Sequence, residues 1–144
     1  MSDKTSVISM MVKQHHNLQE QLGSIADILK NDPIDTENII QLQVLFKKDL
    51  NEHIAAESKL FYSELLKEMK QRGQDITKTK QFVDEMGVLA EKVYAFLDKY
   101  EEAANISQSP DDFKKEFSQI LRALNLRIES EEVGVFAYWM PADF

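Results

Sequence analysis

Residues 50–61 read LNEHIAAESKLF. Together with the phenylalanine shortly before them, Phe46, Leu50, His53, Glu57 and Leu60 step by 4, 3, 4 and 3 residues, the stripe that a helix turns toward the core of a bundle. The stretch therefore predicts a helix. It also places an imidazole and a carboxylate on the core-facing side, where ionisable groups persist only when they are partnered or coordinated.

Three breaks divide the chain around this helix. NDPID at 31–35 sets Pro33 among polar residues; QRGQDIT at 71–77 offers Gly73 as a helix end and Asp75 or Thr77 as the next start. NISQSPDD at 105–112 reads as an N-cap at Ser109, Pro110 at the first helical position, and Asp111 and Asp112 in the first turn. The segments left between, 4–30, 36–72, 77–104 and 110–137, all carry helical periodicity. Short loops make sequential helices antiparallel. The expectation is a single all-α domain over 1–144, an up-down-up-down antiparallel four-helix bundle.

Composition agrees and narrows the function classes. Four glycines and three prolines in 144 residues suit long helices, and 43% hydrophobic with 29% charged residues is ordinary for a globular domain. A net charge of -8 without basic clusters argues against nucleic acid as a partner. The absence of cysteine removes disulfides, thiolate metal sites and a cysteine nucleophile. MSDKTSVISMMVK at the start has no signal-peptide apolar block, and no run approaches a membrane span, so a cytoplasmic protein without a membrane partner is expected. No nucleophile with an orienting base stands out, so an enzyme is not expected. The aromatic tail, with Phe136, Tyr138, Trp139 and Phe144, reads as a cap on one end of the bundle.

The two halves resemble each other. Val12, His15, Leu18, Leu22, Ile25 and Leu29 share the steps 3, 3, 4, 3, 4 with Val83, Met86, Leu89, Val93, Phe96 and Tyr100. Leu50, His53, Glu57 and Phe61 match Leu124, Arg127, Glu132 and Phe136 with one extra residue in the middle. His15 lies about as far before the first loop as His53 lies after it, so antiparallel helices bring the two imidazoles to one level. Glu57 is one turn beyond His53, and Glu132 on the last helix reaches the same interior. Two imidazoles and two carboxylates suit a first-row transition metal, iron foremost, with zinc or manganese as further choices. His16, adjacent to His15, points to a flank; Glu131 competes with Glu132, because heptad spacing from Arg127 favours the former and the match with the second helix the latter, and Glu132 is taken here.

This layout resembles the hemerythrin family of HHE cation-binding domains. The family pattern is one His on the first helix, H-x-x-x-E on the second, H-x-x-x-H on the third and H-x-x-x-x-D/E on the fourth. Here HHNL supplies His15, HIAAE supplies His53 and Glu57, and RIESEE supplies Glu132, but Arg127 stands at the fourth helix's His and the third helix has none. The resemblance implies that the ligands of one iron remain, His15, His53, Glu57 and Glu132, and that those private to the other are gone. Arg127 would then face the outer oxygens of Glu57 and Glu132. A one-iron site does not suit reversible oxygen transport, which draws one electron from each of two irons. It suits binding or sensing of dioxygen, nitric oxide or redox state. The alternative reading is a metal-free bundle whose buried groups pair with one another and whose acidic surface meets a protein partner.

Overall fold

The computed structural model describes residues 4–139, and over them the chain is helical, with no strand among the described residues. Helix α1 is Lys4–Ile28. Helix α2 covers 36–71, as Thr36–Ala56, a π-helical segment Glu57–Tyr62 and Ser63–Gln71. Helix α3 is Thr77–Lys99, α4 the short Ala103–Gln108, and α5 covers 110–139, as Pro110–Ser130, a second π-helical segment Glu131–Val135 and Phe136–Trp139.

Side-chain pairs give the helix directions. Between α1 and α2, Gln21 meets Asp49, Gln14 meets His53 and Lys4 meets Glu68, so numbers fall on one helix as they rise on the other. Lys47–Asp98 and Met69–Thr79 show the same for α2 and α3, Lys99–Glu116 and Phe82–Arg127 for α3 and α5, and Gln19–Asn125 and His15–Glu132 for α1 and α5. The four long helices form the up-down-up-down bundle that the short loops imply.

The helix ends follow local chemistry. Asp35 caps α2 by accepting from the Asn38 amide at 3.2 Å. Gly73 ends it at φ 72, with the Gln74 amide on the Met69 carbonyl and the Gly73 amide on that of Lys70, a Schellman closure that a side chain would strain. The third segment stops earlier than its periodicity indicates. Glu102 is extended, at φ -107 and ψ 143, and separates α3 from α4, which carries helix on to Gln108 inside the break expected at 105–112. The Tyr100 carbonyl freed there accepts from the buried Gln43 amide at 2.9 Å. Without such a partner a buried carbonyl would cost about 1–3 kcal/mol.

The core falls into two apolar clusters. One gathers Leu18, Leu22, Phe46, Leu50, Phe96 and Phe113 near the α1–α2 loop; the other gathers Val7, Met11, Phe61, Leu65, Phe136 and Trp139 at the opposite end. The tail partly behaves as a cap. Phe136 and Trp139 pack edge-on against Phe61, and the Trp139 indole donates to Glu68, while Tyr138 is exposed. Phe144 lies outside the described residues. Between the clusters sits a layer of charged side chains.

Candidate metal centre

The π turns set this layer. In a π turn the amide reaches a carbonyl five residues back, as the Ser63 amide does to Ser58 and the Phe136 amide to Glu131. The extra residue in the turn shifts the inward face by one position. The stripe predicted from Phe46 therefore slips after Glu57: Leu60 is 40% exposed, and Phe61 and Tyr62 are buried instead. On α5 the turn begins at Glu131, four residues after Arg127, as Glu57 stands four after His53. Glu131 is 1% exposed.

The structure brings together His15, His53, Glu57 and Glu131, whose nearest nitrogen and oxygen atoms all lie within 4.8 Å of one another, all four buried. His53 Nε2 is 2.9 Å from Glu57 Oε2, and His15 Nε2 is 3.1 Å from Glu131 Oε1 and 4.0 Å from Glu57 Oε2. Glu132, expected to point inward, does not join them. Its half-buried carboxylate lies behind His15 and accepts from Nδ1 at 2.8 Å. His53 Nδ1 is likewise bonded outward, to Gln14 Oε1 at 2.6 Å. A carboxylate or amide oxygen can only accept, so each ring carries its proton on Nδ1 and turns the Nε2 lone pair inward. His16 is exposed, as its helix position implies. Phe136 stacks on the His15 ring, with centroids 5.7 Å apart and planes 7° from parallel.

Arg127 fills the other half of the layer, with neighbours that differ from those expected. Its Nη2 is 3.5 Å from Glu131 Oε2 and donates to the Tyr62 hydroxyl at 3.1 Å, Nη1 donates to the Phe82 carbonyl at 2.6 Å, and the guanidinium lies 3.5 Å from the Phe82 ring centre. Tyr62 donates to Glu131 Oε2 at 2.7 Å. Tyr62 and Gln14 went unnoticed in sequence. Tyr62 lies outside a strict heptad, and Gln14 was masked by the more obvious His15. On α3, Tyr94 donates to Asn51, and Glu85 and Glu91 are exposed.

Charge in so dry a layer is redistributed. Burial, with the charge and hydrogen bond of Glu131, pushes the Glu57 carboxyl up to about 10. Burial also works against Glu131, but its close contact with His15 and the proton of Glu57, with Arg127 and Tyr62, outweigh it and hold that carboxyl at about 2. The two acids thus share one proton across the neutral range. Burial and then His15 lower His53 to about 4, and burial and then Glu131 raise the Tyr62 phenol.

Four helices enclosing a buried two-histidine, two-carboxylate cluster define a cation-binding type of bundle. The chain matches the hemerythrin HHE cation-binding domain over residues 6–139, and it belongs to that family. No curated protein and no solved structure matches it significantly. No helix among the described residues is long and apolar enough to cross a membrane. The residues present fit a metal ion. His15 Nε2 and Glu57 Oε2 complete no hydrogen bond despite their close neighbours, and such orphaned buried donors to a cation are otherwise costly. Two imidazole nitrogens and two carboxylates are a borderline donor set suited to a divalent first-row metal.

Proposed function

We propose that this chain holds one divalent ion, iron foremost, on His15, His53, Glu57 and Glu131, and that it binds or senses a small ligand or redox state rather than transporting oxygen. The observation that carries the reading is the outward tethering of both imidazoles, which presents two unprotonated Nε2 atoms to two carboxylates. Partners of this kind fix the tautomer and orientation of metal-binding histidines. Glu132 and Gln14 are then positioning residues. The expectation that Glu132 is itself a ligand gives way to Glu131, whose carboxylate faces the Nε2 side of His15.

The one-ion stoichiometry follows from Arg127. A fixed guanidinium beside Glu131, with Tyr62 on the same oxygen, opposes a second cation. A bound ion would supply open coordination positions for dioxygen or nitric oxide and a change of redox state. The protein residues hold the donors, keep Phe136 stacked on His15 to shield that side from water, and balance the charge of Glu131.

A second reading, a metal-free bundle serving as a regulatory or interaction module, draws on the shared proton of Glu57 and Glu131 and the Arg127–Glu131 pair, which neutralise the layer internally. Elemental analysis of fresh protein, with melting curves in the presence and absence of chelator, separates the two. About one iron, zinc or manganese per chain and a chelator-lowered melting temperature are expected from linkage. Metal content near zero after expression in metal-rich medium, with a chelator-independent melt, would favour the second reading.

A further inference from the structure

A cleft of about 380 Å³ opens between α2 and α3 and reaches the cluster from outside. Its α2 wall includes Glu57 and Tyr62, its α3 wall Asp84, Met86, Gly87 and Glu91. The acidic side chains lining it are Glu57, Asp84 and Glu91, with no lysine or arginine among the lining residues. A larger α2–α3 cleft, of about 470 Å³, carries Lys47 and Lys48 and touches no residue of the cluster. Glu57 joins cleft and site. It is 3% exposed, and its Oε2 lacks a hydrogen bond.

Gly87 lines the α3 wall without a side chain. Asp84, Gly87 and Glu91 lie at spacings of three and four on α3, so they share one face over about 10 Å of helix. Mid-helix glycine costs about 1 kcal/mol relative to alanine. Neither backbone nor packing requires it at this position, since its φ is not in the left-handed region and a Cβ there would meet nothing within 4 Å. The absent side chain leaves free space directly in the cleft.

We propose that this cleft is the route by which a divalent cation enters and leaves the buried cluster. Asp84 and Glu91 gather the ion at the exposed rim, Gly87 provides the width, and Glu57 receives it at the inner end. Exposed carboxylates at a rim without lysine or arginine raise the local concentration of positive ions and speed their capture. The inference rests on the metal-binding reading of the cluster.

The test follows Co2+ uptake by chelator-treated full-length protein through its visible absorption, and release through transfer to excess chelator. Gly87→Leu, which blocks the cleft without touching a ligand, should slow uptake and release together by at least tenfold while leaving the dissociation constant and one-ion stoichiometry unchanged. Gly87→Ala gives the helix the same backbone benefit in a much smaller volume, and should raise the melting temperature with rates within about twofold of the parent. Asp84→Asn with Glu91→Gln should slow uptake several-fold at low salt and less at high salt. Rates unchanged by Gly87→Leu, or an altered affinity with rates shifted unequally, overturn the route. A parent protein that takes up no Co2+ overturns both the route and the metal-binding reading, and so is distinguishable from failure of the route alone.

Discussion

The metal-free protein should become less stable as pH rises from 6.5 to 8.5. Folded, the Glu57–Glu131 pair keeps one proton, because Glu57 is raised to about 10 and Glu131 lowered to about 2. Unfolded, both titrate near 4.5 and hold none in this window. A raised folded pKa gives stability that is complete below the unfolded value and is lost as pH climbs toward the folded one, at about 1.4 kcal/mol per unit for one proton. Over two units the loss is about 3 kcal/mol. His53 has the opposite sign. Its folded pKa of about 4 lies below the unfolded 6.5, so its contribution is complete above 6.5 and fades as pH falls toward 4. The two terms oppose each other between 4.5 and 6.5, and above 6.5 Glu57 is unopposed by His53. Urea unfolding in chelator, at half-unit pH steps, reads the slope directly. Glu57→Gln keeps a neutral side chain and removes the titration, so its profile from 6.5 to 8.5 should be flat. A parent profile that is itself flat, or a slope that survives Glu57→Gln, would refute the shared proton.

Other residues give sharper contrasts. Glu131→Gln should abolish stoichiometric metal, whereas Glu132→Gln should keep it and weaken affinity about 10- to 100-fold, as loss of a histidine's outer partner does; metal titrations of the two variants decide, and the reverse order would restore Glu132 as the ligand. Arg127→Met removes one member of a buried pair while filling most of the space, and should cost the metal-free protein about 3–5 kcal/mol in urea. Phe61→Ala should cost about 3–5 kcal/mol and Leu60→Ala under about 1 kcal/mol, because the π turn buries the former and exposes the latter; equal costs would place the residues on an ordinary α-helix.

The helices were legible because apolar steps of three and four recur through all four long segments, and Gly73 and Pro110 mark ends by local chemistry. His15, His53 and Glu57 could be picked out as charged members of an apolar stripe, and antiparallel geometry alone placed the imidazoles at one level. What could not be read was the phase beyond each carboxylate. A π turn adds a residue without a glycine or proline to announce it, so Leu60 looked buried, Phe61 looked like the match of Phe136, and Glu132 looked like the match of Glu57. In the fold Tyr62 and Phe136 stand five residues after their glutamates, and Glu131 is the counterpart of Glu57. Heptad spacing from Arg127 did favour Glu131; the apparent match of the second and fourth helices outweighed it. Tyr62 and Gln14 depend on contacts between helices, which no single-helix pattern contains.

The charged layer between the two apolar clusters has a consequence for alignment. Greasy helices in a bundle can slide past one another by a turn, about 5.4 Å, and still find hydrophobic neighbours. Here such a slip of α1 would drive His15 from Glu131 and Glu132 into the phenylalanines and leucines on either side, and leave Glu57 and Arg127 facing hydrocarbon. The layer therefore works as a notch that admits one vertical setting of the helices, much as a single buried asparagine fixes coiled-coil register. Replacing His15, His53, Glu57 and Glu131 together with leucine or methionine should leave a helical protein with broadened amide resonances from several interchanging alignments. A single sharp set of resonances would mean that the surrounding side chains alone set the register.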